Sequence, residues 1–335
     1  MYIKDDPYAS YKLLSEEFKK KGYQVEEGWV KNSRQITFKS PNGRIWQTLA
    51  AHLSYPFTSQ KIRSVSINKD RAYNFANSMG ITTPYTQLIA EDDQLPSDVI
   101  NDLLHRFDKL IVKPTRASLA RGLTLGINSV TELDKAITYA RTISPQVLIQ
   151  EQVEGEEIRF TVIEGKVTAA ILRRTPRVIG DGISTIAQLI DIENIERQGL
   201  QFTYLEYPLL NRDIINPLFL TSDRVLEKGE ILELNRATMI KNGCSVYDIL
   251  DDIHPSYIKP IERLVSGLGA KFIVVDMFLK DFTKKKTDTN YWFIEFNTSP
   301  VLKMFYGCRD GRAYDIVPVL VDTIDRWLNS QESQD

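Results

Sequence analysis

The sequence predicts a mixed α/β (α+β) chain built from more than one packed unit, and three observations carry that expectation. The 335 residues, 42% hydrophobic and 26% charged, fall in the globular range and give enough chain for two or three units. Short runs with strand-like alternation are interleaved with segments whose apolar residues recur every three or four positions. Turn signals separate these runs, among them Asn42-Gly43, Glu164-Gly165 and Asp181-Gly182.

Residues 8–21 read as a helix stopped by Gly22, and residues 23–28 and 34–38 carry alternating strand patterns. Ser40-Pro41-Asn42-Gly43 reverses the chain, because Asn-Gly tolerates the positive φ of a tight turn, and residues 44–49 resume the alternation. A first domain is expected over residues 1–64. Residues 68–79 then form a helix with Ala72, Phe75, Ala76 and Met79 on one face and Gly80 at its C-cap. Pro84 pushes the residue before it into an extended path. Residues 110–112 and 147–150 read as buried strands and residues 133–141 as a helix, which completes a second domain over 65–152. A third, over 153–330, opens with strands at 158–163 and 166–173 joined by Glu164-Gly165. It continues through a helix at 186–189, a polar stretch to about residue 221 and a helix at 258–268. Strands at 272–279 and 292–296 and a helix at 317–327 close it, with Lys284-Lys285-Lys286 as a solvated hairpin tip.

Charge and composition exclude several classes of function. The 42 Lys and Arg against 44 Asp and Glu give a net charge of −2, so no global positive field draws nucleic acid or an anionic membrane. Cys244 and Cys308 have no CxxC or paired Cys/His spacing, which argues against a disulfide framework and a structural zinc, and suits a reducing cytoplasm. No run of about 18 apolar residues occurs, and the first residues carry acids and a proline where a secretion signal would need an apolar core.

Three clusters carry chemistry. In the strand around Phe293 to Phe296, Glu295 and Asn297 point to one face, Ile294 and Phe296 to the other. Upstream, Asp276 sits inside the apolar strand Val274-Val275-Asp276-Met277-Phe278, where a lone carboxylate costs several kcal/mol unless compensated. A hard cation such as Mg²⁺ between Asp276 and Glu295, or a salt bridge to Arg or Lys, would each compensate it. Lys113, at the end of a buried strand and before a basic small-residue loop, could hold phosphates or simply be a solvated terminus. The segment from Gln150 to Arg159 breaks at Gly155 and alternates acid and base beyond it. This segment suits either a hinge that offers backbone groups to an adenine edge or a charged surface turn.

The order of these clusters resembles the ATP-grasp superfamily: Lys69, Lys113-Pro114, residues 151–159, Arg173-Arg174, Gly180-Asp181-Gly182, Asp276, then Glu295-x-Asn297-x-x-Pro300. Residues 173–186 look like the branch that contains cyanophycin synthetase and the glutathione-synthetase fusion enzymes, and the resemblance spans about residues 62–325. It implies an ATP-grasp fold, two α+β subdomains clasping ATP plus a small N-terminal domain. By the same resemblance, Lys69, Lys113 and Ser118 would meet the phosphates; Gln150, Glu151, Gln152 and Val153 would line the adenine pocket, and Glu157 would bond the ribose. Asp276, Glu295 and Asn297 would hold two Mg²⁺ ions, or Mn²⁺ in their place, and Arg159, Arg173 and Arg236 would stabilise developing charge. The implied reaction joins a small-molecule carboxylate to an amine, on amino acids or a peptide, through an acyl phosphate. A homodimer is compatible with the resemblance, whereas nucleic-acid and membrane partners are not expected.

The sequence also departs from the pattern. Ala117 and Ala120 stand where glycines are expected in the loop after Lys113, and only Gly122 remains. Arg236 is shifted by one, while Met239 and Cys244 replace an asparagine and a second glycine where the acyl substrate would sit. Two rival readings follow: a ligase that makes amide or ester crosslinks in a ribosomal peptide, and a catalytically silent nucleotide-binding module.

Overall fold

The computed structural model describes residues 9–93, 95–118, 120–200, 207–235 and 242–331. In chain order these form α1 (Ala9–Lys20), β1 (Gln24–Val30), β2 (Ser33–Lys39), β3 (Ile45–Leu49), α2 (Gln60–Ile67), α3 (Lys69–Ser78) and β4 (Thr86–Ile89). Next come α4 (Ser97–Arg106), β5 (Leu110–Pro114), β6 (Thr124–Ile127), α5 (Val130–Arg141), β7 (Val147–Glu151), β8 (Glu156–Ile163) and β9 (Lys166–Arg174). The remainder is β10 (Arg177–Ile179), α6 (Ile186–Gly199), α7 (Pro217–Leu220), β11 (Ile231–Glu233) and β12 (Ser245–Asp248). It ends with α8 (Ile258–Leu268), β13 (Phe272–Leu279), β14 (Tyr291–Asn297) and α9 (Ile316–Ser330). The mixed class is as expected. The compact units, however, are discontinuous in sequence: one holds Ser59–Val167 and Asp252–Thr298, the other Met1–Thr58, Thr168–Asp251 and Ser299–Asp335.

In the first of these units, an antiparallel sheet runs in the order β4-β7-β5-β6. Its inner strands are the apolar runs Val147-Leu148-Ile149 and Leu110-Ile111-Val112, and α5 lays Leu133, Ala136 and Ala140, spaced three and four apart, over them. Ser129 caps α5 by accepting the Glu132 N–H. The same unit holds β13 between β8 and β14, antiparallel to both. β13 is a nearly continuous buried run because a strand with neighbours on both edges and cover on its faces has no solvent side to reward alternation. α8 packs by Ile261, Leu264, Val265 and Leu268 and ends in Gly269 at φ 77°, a left-handed cap that suits glycine. α3 meets β14 through aromatic rings, Tyr73 against Phe293 at 6.0 Å and Phe75 against Phe296 at 6.3 Å.

The second unit carries the expected hairpin, β1-β2-β3, with Ser40-Pro41-Asn42-Gly43 as its turn and Gly43 at φ 85°. Its core is aromatic: Phe18 of α1 packs on Phe38, Tyr23 and Trp46 at 4.7–5.9 Å. Tyr23 donates to Asp325 of α9 at 2.6 Å, so the first and last segments of the chain are joined. β9 pairs with β12 and β10 with β11, both antiparallel. α6 runs to Gly199, ten residues beyond the expected stop at 189, because a full Thr185/Gln188 capping box starts it and buried Arg197 anchors its last turn. Arg197 donates to Glu193 and Ser245 and to the Pro208 and Gly243 carbonyls at 2.7–2.9 Å, which satisfies a guanidinium that is 1% exposed. Sequence periodicity did not find β4, β6, β10, β11 and β12, whose three or four residues are too few to display a period.

Ile149→Ala empties a fully buried position in an inner strand and is expected to cost about 2–5 kcal/mol, read as a lowered midpoint in urea unfolding followed by circular dichroism.

Candidate functional site

Three residues stand in one row across β8, β13 and β14. Arg159 lies directly opposite Asp276, and Asp276 directly opposite Glu295. Residues opposed in a sheet share a face, so the next rows on that face are Thr161, Val274 and Asn297 on one side and Glu157 and Phe278 on the other. The reverse face is apolar, with Phe160, Val275 and Phe296 in one row and Ile158, Met277 and Phe293 in another. One face of this sheet is thus core, and the other gathers Glu157, Arg159, Asp276 and Glu295.

A bulge makes this sorting work. The register passes from Asp276↔Glu295 to Met277↔Phe293, which leaves Ile294 as an extra residue. Strict alternation would put Phe293 on the face of Glu295, with Ile294 and Phe296 opposite. Instead Phe293 and Phe296 are both buried, their rings 4.7 Å apart, and Ile294 is half-exposed rather than facing inward.

Asp276 is 2% exposed and Arg159 5%. The guanidinium grips the carboxylate through both oxygens, Nε to Oδ1 at 2.7 Å and Nη2 to Oδ2 at 2.6 Å. Burial opposes the charge on Arg159, and Asp276 more than offsets it, so its pKa is raised. The salt bridge weighed from sequence therefore exists, and Glu295 stands beside it. Glu295 is half-exposed and faces Lys69, whose ammonium lies 3.5 Å away.

Lys69 opens α3, where its Nζ also donates to the Ala117 carbonyl at 2.9 Å. Lys113 ends β5 in a buried position, donating to the Tyr73 hydroxyl at 2.6 Å and to Gln150 Oε1 at 2.8 Å. Burial pushes its pKa down to about 8, with the negative charge of Glu295 acting in the opposite sense. Gln150 is itself oriented, since its amide donates to Thr86 Oγ1 at 2.7 Å. Glu151 and Gln152 turn their carboxylate and amide oxygens to the backbone N–H groups of Tyr85 and Gly126, at 2.9 and 2.7 Å. Their side chains thus fasten the sheet, and Val153 follows half-exposed at the start of the break. At Gly155 a Cβ would come within 2.7 Å of the Leu279 carbonyl, so only glycine lets the chain pass there.

The loop after Lys113 carries Ser118, which is exposed. Gly122 has φ 74° and a Cβ there would strike Pro114, so the retained glycine is required. Ala120 has φ 54°, a left-handed conformation that glycine would adopt without steric cost. Arg173 lies on β9 of the second unit opposite Val246, and Arg236 lies outside the described residues. Cys244 and Cys308 are buried and burial pushes the Cys308 thiol up to about 12, so neither is an activated nucleophile. His254 holds a turn, accepting the Ser256 N–H at Nδ1.

No family model matches the chain. A cyanophycin synthetase of Crocosphaera subtropica is 29% identical over 222 residues, 64% of this chain and 26% of that protein. The glutathione biosynthesis bifunctional protein GshAB of Streptococcus agalactiae is 28% identical over 220 residues, 62% of this chain and 29% of that protein. The matched region is less than a third of either relative's length. A bifunctional glutathione synthetase from Pasteurella multocida superposes with a TM-score of 0.64 at 19% identity, over 95% of this chain and 44% of that one. D-alanyl-alanine synthetase A from Vibrio cholerae gives 0.56 at 12% identity, over 97% and 94%.

The chain has the ATP-grasp fold. The branch resemblance carried by residues 173–186 holds as well, since the relatives above bear the two names it pointed to. For an ATP-grasp site the donor chemistry fits Mg²⁺: Asp276, Glu295 and Asn297 are hard oxygen donors on one sheet face. Among the described residues no cluster of three His, Cys, Asp or Glu exists, so an ion here would draw its other ligands from water and phosphate. Sequence reasoning missed Tyr73. Its signal was available, because Lys69 and Tyr73 are four apart on one helix and so share a face.

Asp276→Asn strands a buried guanidinium and is expected to lower stability by about 3–5 kcal/mol in chemical denaturation, whereas the double change Arg159→Met with Asp276→Leu recovers most of that loss. Lys113 gives a pH signature. Its folded pKa is depressed, so the unfolded chain binds more protons above about pH 8, and the cost of burying the ammonium is relieved as pH rises toward ~10.4. Urea midpoints taken across that window are expected to carry an upward contribution that Lys113→Met abolishes.

Proposed function

We propose that the chain is an ATP-dependent ligase that joins a carboxylate to an amine, acting on amino acids or a peptide. The observation that carries this reading is the single sheet face on which Arg159, Asp276, Glu295, Asn297 and Glu157 are held in register. A structural role would require only the Arg159–Asp276 pair. Glu295, ion-paired with Lys69, and Asn297 stand half-exposed beside it on the same face, two further oxygen-bearing side chains next to that pair.

On this reading Lys69 and Lys113 reach the phosphates by point charge, and the loop from Thr115 to Gly122, tied down by Lys69 at Ala117, covers them. The break at 153–155 borders the adenine, and Glu157 meets the ribose. Asp276, Glu295 and Asn297 would hold Mg²⁺, which when bound neutralises charge on the transferring phosphoryl group. A substrate carboxylate oxygen attacks the γ-phosphorus as its bond to the ADP oxygen breaks. An amine then attacks the acyl carbon and expels phosphate, giving an amide, ADP and phosphate. Arg159, preorganised by Asp276, supplies fixed positive charge where negative charge develops, and Arg173 and Arg236 are assigned the same part on the acyl side. Relatives that match are named for cyanophycin synthesis and for glutathione biosynthesis, which supports amino-acid or peptide substrates. Because Met239, outside the described residues, and Cys244 depart from the family pattern, the relatives' acyl substrate is not carried over to this chain.

The test is ADP and phosphate release from Mg-ATP across amino acids, dipeptides and small carboxylic acids, with mass spectrometry of each mixture. A product lighter than its two parts by one water, formed with ADP and phosphate, is the expected result, and an ester product would redirect the reading to a peptide crosslinking enzyme. Glu295→Ala is expected to abolish turnover without changing the unfolding midpoint. Full activity in that variant overturns the metal assignment, and ATP binding without turnover on any substrate favours a silent module.

A further inference from the structure

Lys113 is a buried lysine whose surroundings specify the direction of its protons. An ammonium has three donors and no acceptor. One goes to the Tyr73 hydroxyl at 2.6 Å and a second to Gln150 Oε1 at 2.8 Å. The Gln150 amide cannot turn round without losing its own partner, because Nε2 donates to Thr86 Oγ1 at 2.7 Å, and that hydroxyl in turn donates to the Pro84 carbonyl at 2.8 Å. The chain of donors therefore has a single sense, and it presents an oxygen to Lys113.

Tyr73 is fixed just as firmly. It is 2% exposed, its ring stands edge-on to Phe293 at 6.0 Å and 85°, and the Lys113 ammonium lies 5.0 Å from its centroid. It sits one turn along α3 from Lys69, so one helix face supplies both a lysine and the hydroxyl that holds the other lysine. A buried ammonium needs acceptors, and here two neutral oxygens held by their own neighbours take two of its three N–H bonds.

We propose that Tyr73 is a positioning residue: with Gln150 it occupies two of the Lys113 N–H bonds and aims the third at a phosphate oxygen of the bound nucleotide. The proposal rests on the reading of this site as an ATP site. It predicts that Tyr73 acts on triphosphate recognition and only through Lys113. Nothing in the reaction requires Tyr73 to touch ATP itself.

The experiment is calorimetric titration of the intact chain with Mg-ATP, and with adenosine as a probe lacking phosphates, for Tyr73→Phe, Lys113→Met and the double variant. Tyr73→Phe keeps the ring and removes only the hydroxyl. The expected result is a loss of about fivefold in ATP affinity, the scale of one hydrogen bond, with adenosine affinity unchanged. Lys113→Met is expected to lose more, and the double variant no more than Lys113→Met alone. Unchanged ATP affinity in Tyr73→Phe, an equal loss for ATP and adenosine, or additive losses in the double variant would each overturn the proposal. If Lys113→Met itself binds ATP as the wild type does, the ATP-site reading fails, an outcome distinct from failure of the Tyr73 proposal alone.

Discussion

A carboxylate at the centre of an apolar strand must be compensated, and much of the site follows from how that is done. Asp276 stands in β13 with apolar residues before and after it, between β8 and β14. The compensation comes from directly across the sheet, where Arg159 offers two parallel N–H bonds. Because partners in a row share a face, fixing that pair also fixes the faces of Glu295, Asn297, Thr161 and Glu157. The bulge at Ile294 then lets Phe293 and Phe296 both enter the core while Glu295 stays with the charges. Core formation and site formation are one ordering of the same three strands, and neither can slip without the other.

A second buried charge obeys the same logic with different means. Among the described residues, Lys113 has no carboxylate in hydrogen-bond contact. Two neutral oxygens hold it, from Tyr73 and Gln150, and its pKa falls accordingly. The contrast with Arg159 is informative. Arg159 is locked by a full counter-charge and keeps its proton, as a fixed electrostatic element should. Lys113 is incompletely compensated, so a phosphate arriving beside it would gain strongly from its charge. Lys69 links the two regions, bonding the loop carbonyl of Ala117 while facing Glu295.

In the second unit the analogous anchor is structural. Arg197 spends its donors on Glu193, Ser245 and two carbonyls, and so ties the end of α6 to the strand that begins at Ser245. Glu193 is shared with Arg309, which draws the segment after β14 to the same helix. No periodicity marked Arg197, since a single arginine near a helix end looks like a solvated cation until its neighbours are known.

What the sequence by itself determined was whatever depends on local chemistry. Asn42-Gly43 and Glu164-Gly165 specified their turns, Gly80 a helix end, and the apolar runs of β5, β7 and β13 their burial. The order of seven clusters, from Lys69 and Lys113-Pro114 through residues 151–159, Arg173-Arg174 and Gly180-Asp181-Gly182 to Asp276 and Glu295-x-Asn297-x-x-Pro300, pointed to the ATP-grasp fold. What only the tertiary structure decided was pairing. Whether Asp276 faced a cation or an arginine depended on which strand lay beside it, and β8 is more than a hundred residues away in sequence. That Gln150 serves Lys113, that Tyr73 joins it, and that Ile294 bulges are likewise decided by neighbours distant in the chain. Periodicity reports a residue's own face, and a hydrogen bond needs two faces brought together.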